Sequence, residues 1–276
     1  MNPSSGNAGP ASDPPSDGVG IVLSGGGTRG IAHIGVLRAL GEHGIFPERA
    51  AGTSAGAIVG ALYAAGYTPE EMLEFFVRKN PFRLSKVSIS KPGIIDSDKV
   101  VADFEEYFPE NTFESLDREL RVVATELTRG EAVTFDSGPL IPALLASSSV
   151  PLMFTPMEVG ERVYADGGIL SNFPVELIEG RCRTLLGVHV SPVGVQSRSD
   201  LRSSLSVLQR ALLVGMSRAS EAKFPRCDVV IRPSDLTKFS AFDTKHMPEI
   251  ERVGHAAAID RMPSIERAIE AGRSAT

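Results

Sequence analysis

Cysteine is scarce in this sequence, with two residues, Cys182 and Cys227, among 276. They stand 45 positions apart, a spacing that matches neither a zinc ligand set nor a disulfide framework. We therefore expect both thiols to be reduced, unless the fold brings them together, and we expect the chain to be cytoplasmic.

An excess of basic residues is missing too. The chain has 28 lysines and arginines against 34 aspartates and glutamates, a formal net charge of −6 and an isoelectric point near 5.5. A nucleic-acid-binding protein that relies on a basic face is therefore disfavoured. The overall charge gives no support for binding to anionic membranes either.

Membrane-spanning apolar runs are also absent. Two uncharged stretches approach the about twenty residues that a spanning helix needs. Residues 50–69 are rich in small side chains, and residues 138–157 contain four prolines, so we predict no transmembrane segment. Residues 1–18 hold four prolines and four serines but no basic start and no apolar core. We expect a flexible tail there, not a secretory signal.

Short apolar runs of strand length alternate with helical patterns from residue 19 onward. This alternation predicts a single α/β domain over residues 19–276, with helices covering both faces of a largely parallel sheet. A long helix is predicted over residues 201–223. Its apolar face, within residues 205–216, could contact another chain, but we expect it to pack on the sheet.

Gly52-Thr53-Ser54-Ala55-Gly56 forms a G-x-S-x-G motif between a predicted strand and a small-residue helix. In this setting a sharp turn exposes the serine oxygen, and the helix N-terminus favours developing negative charge. The alternative is a plain glycine-rich helix start with Thr53 or Ser54 as its cap.

A glycine-rich loop, Gly25–Gly30 (GGGTRG), follows the first predicted strand. Its backbone amides could form an oxyanion hole. Gly25, Gly27 and Gly30 also fit the G-x-G-x-x-G of a dinucleotide loop, with Glu48 near the position of the ribose-binding acid. We rank this second interpretation lower, because Glu48 does not end an apolar strand. A third interpretation is an ordinary turn that needs glycine.

Asp166-Gly167-Gly168 follows another short strand. Asp-Gly commonly makes a simple turn, but an aspartate at a strand end can also face a pocket. A serine nucleophile needs a base. The chain order Ser54, Asp166, His189 is that of an α/β-hydrolase triad, so spacing alone leaves His189 open as the base.

Taken together, these three motifs in this order resemble those of the patatin-like phospholipases. The segment ASSSVPLMF at residues 146–154 resembles the family's serine- and proline-containing block before the aspartate. The resemblance extends over residues 19–190, and we expect it to reach the last strand. It implies a patatin-like three-layer α/β/α sandwich with a mostly parallel central sheet.

The family resemblance implies a Ser-Asp dyad in place of a triad. Ser54 would be the nucleophile and Asp166 its base, and the amides of Gly25, Gly26 and Gly27 would form the oxyanion hole. No metal and no cofactor are implied. The other motif residues are Arg29, Gly30, Gly52, Gly56, Gly167 and Gly168; relatives often have alanine at the last of these.

The implied substrate is a phospholipid or another acyl ester, hydrolysed through an acyl-enzyme in lipid catabolism, with peripheral membrane contact and no nucleic acid. The alternatives are an acyltransferase or a non-catalytic lipid- or nucleotide-binding protein on the same fold. Residues 78–97 are a candidate cover. The oligomeric state, acyl length and head group are not indicated. Candidates for an apolar groove, with core packing as the equal alternative, are Phe75, Phe76, Phe82, Phe104, Tyr107, Phe108 and Met153.

Overall fold

Eight strands form one mixed sheet in the computed structural model, which describes residues 16–81, 98–151 and 153–274. The order along the sheet is β5-β6-β3-β2-β1-β7-β8, and β4 also pairs with β3. Strands β1, β2, β3, β7 and β8 run parallel to their neighbours among these five, whereas β4, β5 and β6 add antiparallel pairs. The bounds are β1 Ser16–Leu23, β2 Arg49–Thr53, β3 Glu119–Glu126, β4 Glu131–Phe135, β5 Met157–Val159, β6 Arg162–Asp166, β7 Cys182–Val188 and β8 Val229–Ile231.

Helices follow most of the strands, as the alternating sequence pattern predicts. Thr68 caps α3 and forms a reciprocal capping box with Glu71, and Pro69 takes the first helical position, which fits its fixed φ and missing N–H. The bounds are α1 Ala32–Glu42, α2 Ala55–Ala64, α3 Pro69–Lys79, α4 Asp98–Glu105, α5 Leu140–Ser148, α6 Gly168–Ser171, α7 Ser204–Glu221 and α8 Met247–Ser274.

The sheet is covered on both faces. Consecutive strand residues point to opposite sides of the sheet, and residues on both sides are buried. In β1, Ile21 and Leu23 pack into the main core with α1, α2 and α8, whereas Val22 packs into a second cluster with Phe173 and Ile178. The fold is therefore a three-layer α/β/α sandwich with a parallel centre, as the family resemblance implied.

The long helix α7 differs from the expectation. Leu205, Leu208 and Leu212 are all more than 40% exposed, so the prediction that residues 205–216 pack their apolar face on the sheet is wrong. Periodicity indicated an apolar face without indicating what covers it.

The strand β1 begins within the predicted tail, because Ser16 pairs with Cys182 of β7. Residues 1–15 of the predicted tail lie outside the described residues.

The aromatic candidates for a lipid groove lie mostly in the core. Phe75, Phe76, Phe104 and Phe108 are each at most 4% exposed, and Phe75 contacts both Phe76 and Phe104 edge to face. Tyr107 and Met153 are partly buried against the same core. Phe82 and the rest of the proposed cover, residues 82–97, lie outside the described residues.

Both cysteines are free thiols, as expected. Throughout the three described ranges, each helix is too short or too polar to cross a lipid bilayer.

Candidate active site

Ser54 occupies the turn between β2 and α2. Its φ of 54° lies in the left-handed region, which strains a residue that carries a side chain. The turn is tight enough to require its flanking glycines: a Cβ at Gly56 would stand 2.2 Å from the carbonyl oxygen of Leu23, and one at Gly52 would stand 2.6 Å from the Cα of Ala57. The G-x-S-x-G motif therefore forms the strand-to-helix turn that its sequence predicts.

The sheet brings Asp166 to Ser54 through strand β3. Residues 122 and 123 of β3 pair with both β2 and β4, and residues 124–126 pair with both β4 and β6. Strands β2 and β6 therefore share one edge of β3, and their carboxyl ends meet there. Thr53 pairs with Val123, and Asp166 pairs with the next residue, Ala124. Residues 112 positions apart in the chain become neighbours in this way.

Asp166 is a buried carboxyl group whose pKa responds to the neighbouring Ser54 side chain. Ser54 is 2% exposed and Asp166 is 5% exposed. Burial raises the pKa of Asp166 to about 6, while hydrogen bonds from the Ser54 side chain and the Gly168 amide partly oppose the rise. The Gly168 N–H donates to Asp166 Oδ1 over 2.7 Å. A carboxylate with a pKa near neutrality and a hydroxyl as its partner can act as a general base.

Serines at the end of α5 hold both residues in place. The Ser54 N–H donates to Ser147 Oγ over 2.9 Å, and Ser147 Oγ–H donates to the Val123 carbonyl over 2.7 Å. The Asp166 N–H donates to the Ser149 carbonyl over 2.9 Å. In the sequence, the block at residues 146–154 stands out only through the family resemblance. Adjacent serines in an otherwise apolar helix were the available signal for Ser147.

The first glycine-rich loop runs beside Ser54. A Cβ at Gly25 would stand 3.3 Å from Ser54 Cβ. The Gly25 N–H donates to the Asn172 carbonyl over 3.1 Å, so it is already engaged. Within the described part of the chain, the amides of Gly26 and Gly27 have no acceptor. Gly27 has a φ of 59°, and a Cβ there would stand 2.2 Å from the Ala241 carbonyl oxygen.

Arg29 braces this loop from the side. Its guanidinium donates to the carbonyl of Phe239 over 2.8 Å and to that of Pro192 over 3.4 Å. These contacts with two distant backbone carbonyls favour a role in holding the glycine-rich loop over contact with an anionic head group. Gly30 allows α2 to approach, since a Cβ there would stand 2.4 Å from that of Ala55.

Asn172 is a site residue that the sequence reasoning missed. It is 5% exposed, and its Nδ2 has no hydrogen-bond partner within the described residues. Its Oδ1 would stand 2.5 Å from a Cβ at Gly25 and 2.9 Å from one at Gly168. The amide therefore lies between the glycine loop and the turn after Asp166. No spacing rule marks a lone asparagine, so only the fold indicates it.

His189 does not join Ser54 and Asp166 in a triad. Its ring packs against Phe224, with centroids 5.2 Å apart, and its Nε2 has no partner among the described residues. Burial, with a smaller contribution from the charge of Arg232, lowers the pKa of His189 to about 4. Neither site residue contributes to this shift.

The geometry also argues against a dinucleotide loop at Gly25–Gly30. Glu48 precedes β2, whereas the loop follows the carboxyl end of β1. Gly20 pairs with Arg49 and Leu23 with Gly52, so the two features lie at opposite ends of the same pair of parallel strands. A ribose held by the loop could not reach Glu48.

Comparison with known proteins gives a consistent result. A family model described as patatin-like phospholipase matches residues 21–178. An uncharacterized NTE family protein of Mycobacterium tuberculosis (strain ATCC 25618 / H37Rv) is 38% identical over 164 residues, covering 59% of this chain and 46% of the relative. The uncharacterized protein YqhO of Bacillus subtilis (strain 168) is 32% identical over 205 residues, covering 62% of this chain and 70% of YqhO.

Among solved structures, VipD from Legionella pneumophila superimposes with a TM-score of 0.52 at 15% identity, covering 91% of this chain and 67% of VipD. At that identity the likeness concerns the fold alone. The chain spans about half the length of the mycobacterial relatives. The family model, however, matches more than half of this chain and includes all three motifs. The chain belongs to the patatin-like phospholipase family.

Proposed function

We propose that this protein is a serine acyl-ester hydrolase of the phospholipase A, lysophospholipase or esterase type, acting in lipid catabolism. The observation that supports this most strongly is the buried pair of Ser54 and Asp166. The serine stands on a strained turn at a helix N-terminus, and its side chain acts on a buried carboxyl group with a pKa of about 6. A structural hydrogen bond alone would not need either the strain or the raised pKa.

In the proposed reaction, Ser54 Oγ attacks the ester carbonyl carbon while Asp166 accepts the hydroxyl proton. The free amides of Gly26 and Gly27, with the Nδ2 of Asn172 as a further donor, would stabilise the oxyanion. The Gly25 amide is left out of this proposal, because it already donates to the Asn172 carbonyl. Collapse of the intermediate releases the alcohol, which takes the proton from Asp166.

Water then attacks the acyl-enzyme. Asp166 accepts a proton from this water and returns it to Ser54 Oγ as the carboxylic acid leaves. The substrate is a phospholipid or another acyl ester, and no residue of this cycle requires a metal or cofactor. An alcohol in place of water would make the same site an acyltransferase, but no feature of the site favours that acceptor.

Hydrolysis of p-nitrophenyl esters of increasing acyl length tests the proposal. We expect activity in the wild type and in His189→Asn, and its loss in Ser54→Ala and Asp166→Asn. Loss in His189→Asn as well would contradict the dyad, and full activity in Ser54→Ala would contradict the whole proposal. The acyl-length profile then separates an esterase from a lipase.

A further inference from the structure

Helix α7 turns a group of leucine and valine side chains toward solvent. Its buried or partly buried side is mixed in character and includes Ser206, Arg210, Leu213, Met216, Ser217 and Ser220. A helix on a water-exposed surface turns its apolar stripe inward and its polar face outward. The exposed apolar residues, hereafter the α7 surface, are Leu201, Leu205, Val207, Leu208, Leu212 and Val214, each 37–50% exposed.

The helix that carries the α7 surface also contacts the candidate active site. Met216, on the same helix, has its Cε 2.6 Å from where a Cβ at Gly168 would lie, and the Gly168 amide holds Asp166. Leu170 on the adjoining helix α6 is 45% exposed as well. Met216 therefore connects α7 with the turn that follows Asp166.

The charges around α7 differ from those of the whole chain. Residues 195–223 contain five basic and two acidic residues, although the chain has a net charge of −6. Arg198 and Arg202, directly before the helix, are exposed, and their side chains make no hydrogen bond or ion pair with any described residue. Unpaired arginines beside exposed leucines are typical of a helix that lies in the interface of an anionic membrane.

We propose that the α7 surface docks on an anionic lipid bilayer, from which the candidate active site draws its substrate. The choice of a lipid surface rests on the proposed function together with the charge pattern. The leucines would enter the boundary between head groups and acyl chains, while Arg198 and Arg202 would contact lipid phosphates. A second copy of the chain would present the same basic excess over residues 195–223 and is therefore the poorer occupant.

Vesicle cosedimentation in the Ser54→Ala background tests this without hydrolysis of the lipid. We expect binding to vesicles of phosphatidylcholine and phosphatidylglycerol in equal parts, and weaker binding to phosphatidylcholine alone. Leu208→Gln with Leu212→Gln should lower the partition coefficient about tenfold or more, because each buried leucine contributes strongly to transfer. Arg198→Ser with Arg202→Ser should remove most of the preference for phosphatidylglycerol and most of the salt dependence.

The matched control is Phe46→Gln with Ile259→Gln. Both residues are exposed, but Phe46 precedes β2, at the end of that strand opposite Ser54, and Ile259 lies on α8. The proposal would be overturned if the leucine variant bound vesicles as well as the parent protein, or if the control variant lost as much binding as the leucine variant. It would also be overturned if the parent protein were a dimer that the leucine substitutions dissociate. Wild-type hydrolysis of a short soluble ester is measured separately, so failure of the surface and failure of the proposed function give different results.

Discussion

Asp166→Asn should make the protein more stable while removing its proposed base. The pKa of Asp166 rises from 3.8 to about 6, chiefly because the carboxyl is buried. The ionised form is therefore disfavoured in the native state relative to the unfolded chain. Asparagine has nearly the same shape, keeps an Oδ1 that can accept the Gly168 N–H, and has no charge to desolvate. Residues that serve activity at a cost in folding stability are common in active sites.

The magnitude follows from the pKa shift. A shift of about two units, at about 1.4 kcal/mol per unit, corresponds to about 3 kcal/mol. As the pH rises from about 4 to about 6, the unfolded chain loses this proton first, so Asp166 lowers the free energy of unfolding throughout that window. Above about pH 6 both states are ionised and the deficit stays constant. Asp166→Asn should therefore gain about 3 kcal/mol at pH 8 and little at pH 4.

Urea unfolding of the wild type and the variant at both pH values measures this difference. Asp260→Asn, an exposed aspartate on α8, is the control and should change the free energy of unfolding little at either pH. An equal gain at pH 4 and pH 8 would refute the reasoning, because it would not come from the titration of Asp166. A loss of stability at pH 8 would refute it as well.

Three further outcomes are expected. The kcat/KM for a soluble ester should rise with pH through about 6 and then level off, because Asp166 acts as a base only when ionised; a profile that is flat between pH 5 and pH 8 would contradict its role. Ser147→Ala should lower the free energy of unfolding by about 1–3 kcal/mol, because it leaves the buried Ser54 N–H without an acceptor. Ser148→Ala is its control and should be near neutral in the same urea titration, since that hydroxyl has no partner among the described residues. Asn172→Ala should lower kcat roughly a hundredfold with little change in melting temperature; unchanged kcat would exclude the Nδ2 from oxyanion binding.

Local chemistry that acts over a few residues could be predicted from the sequence. The capping box at Thr68 satisfies backbone donors within one helical turn, and Gly52 is required by a contact with Ala57 inside the strand-turn-helix unit, so short-range patterns indicate both. The alternation of apolar runs also indicated the layered α/β architecture. The resemblance to the patatin-like phospholipases then singled out Ser54 and Asp166, although spacing alone left His189 as a third candidate.

Contacts between residues that are far apart in the chain decided the rest of the fold and the arrangement of the candidate site. Ser54 and Asp166 meet because β2 and β6 share one edge of β3. No local sequence pattern predicts this strand order. The same long-range packing occupies the Gly25 amide with the Asn172 carbonyl and places His189 among aromatic rings. It also turns the leucines of α7 outward. The sequence by itself determined which elements form and which residue types could react. Only the tertiary structure decided which groups touch, since burial and hydrogen bonding between distant segments depend on the whole fold.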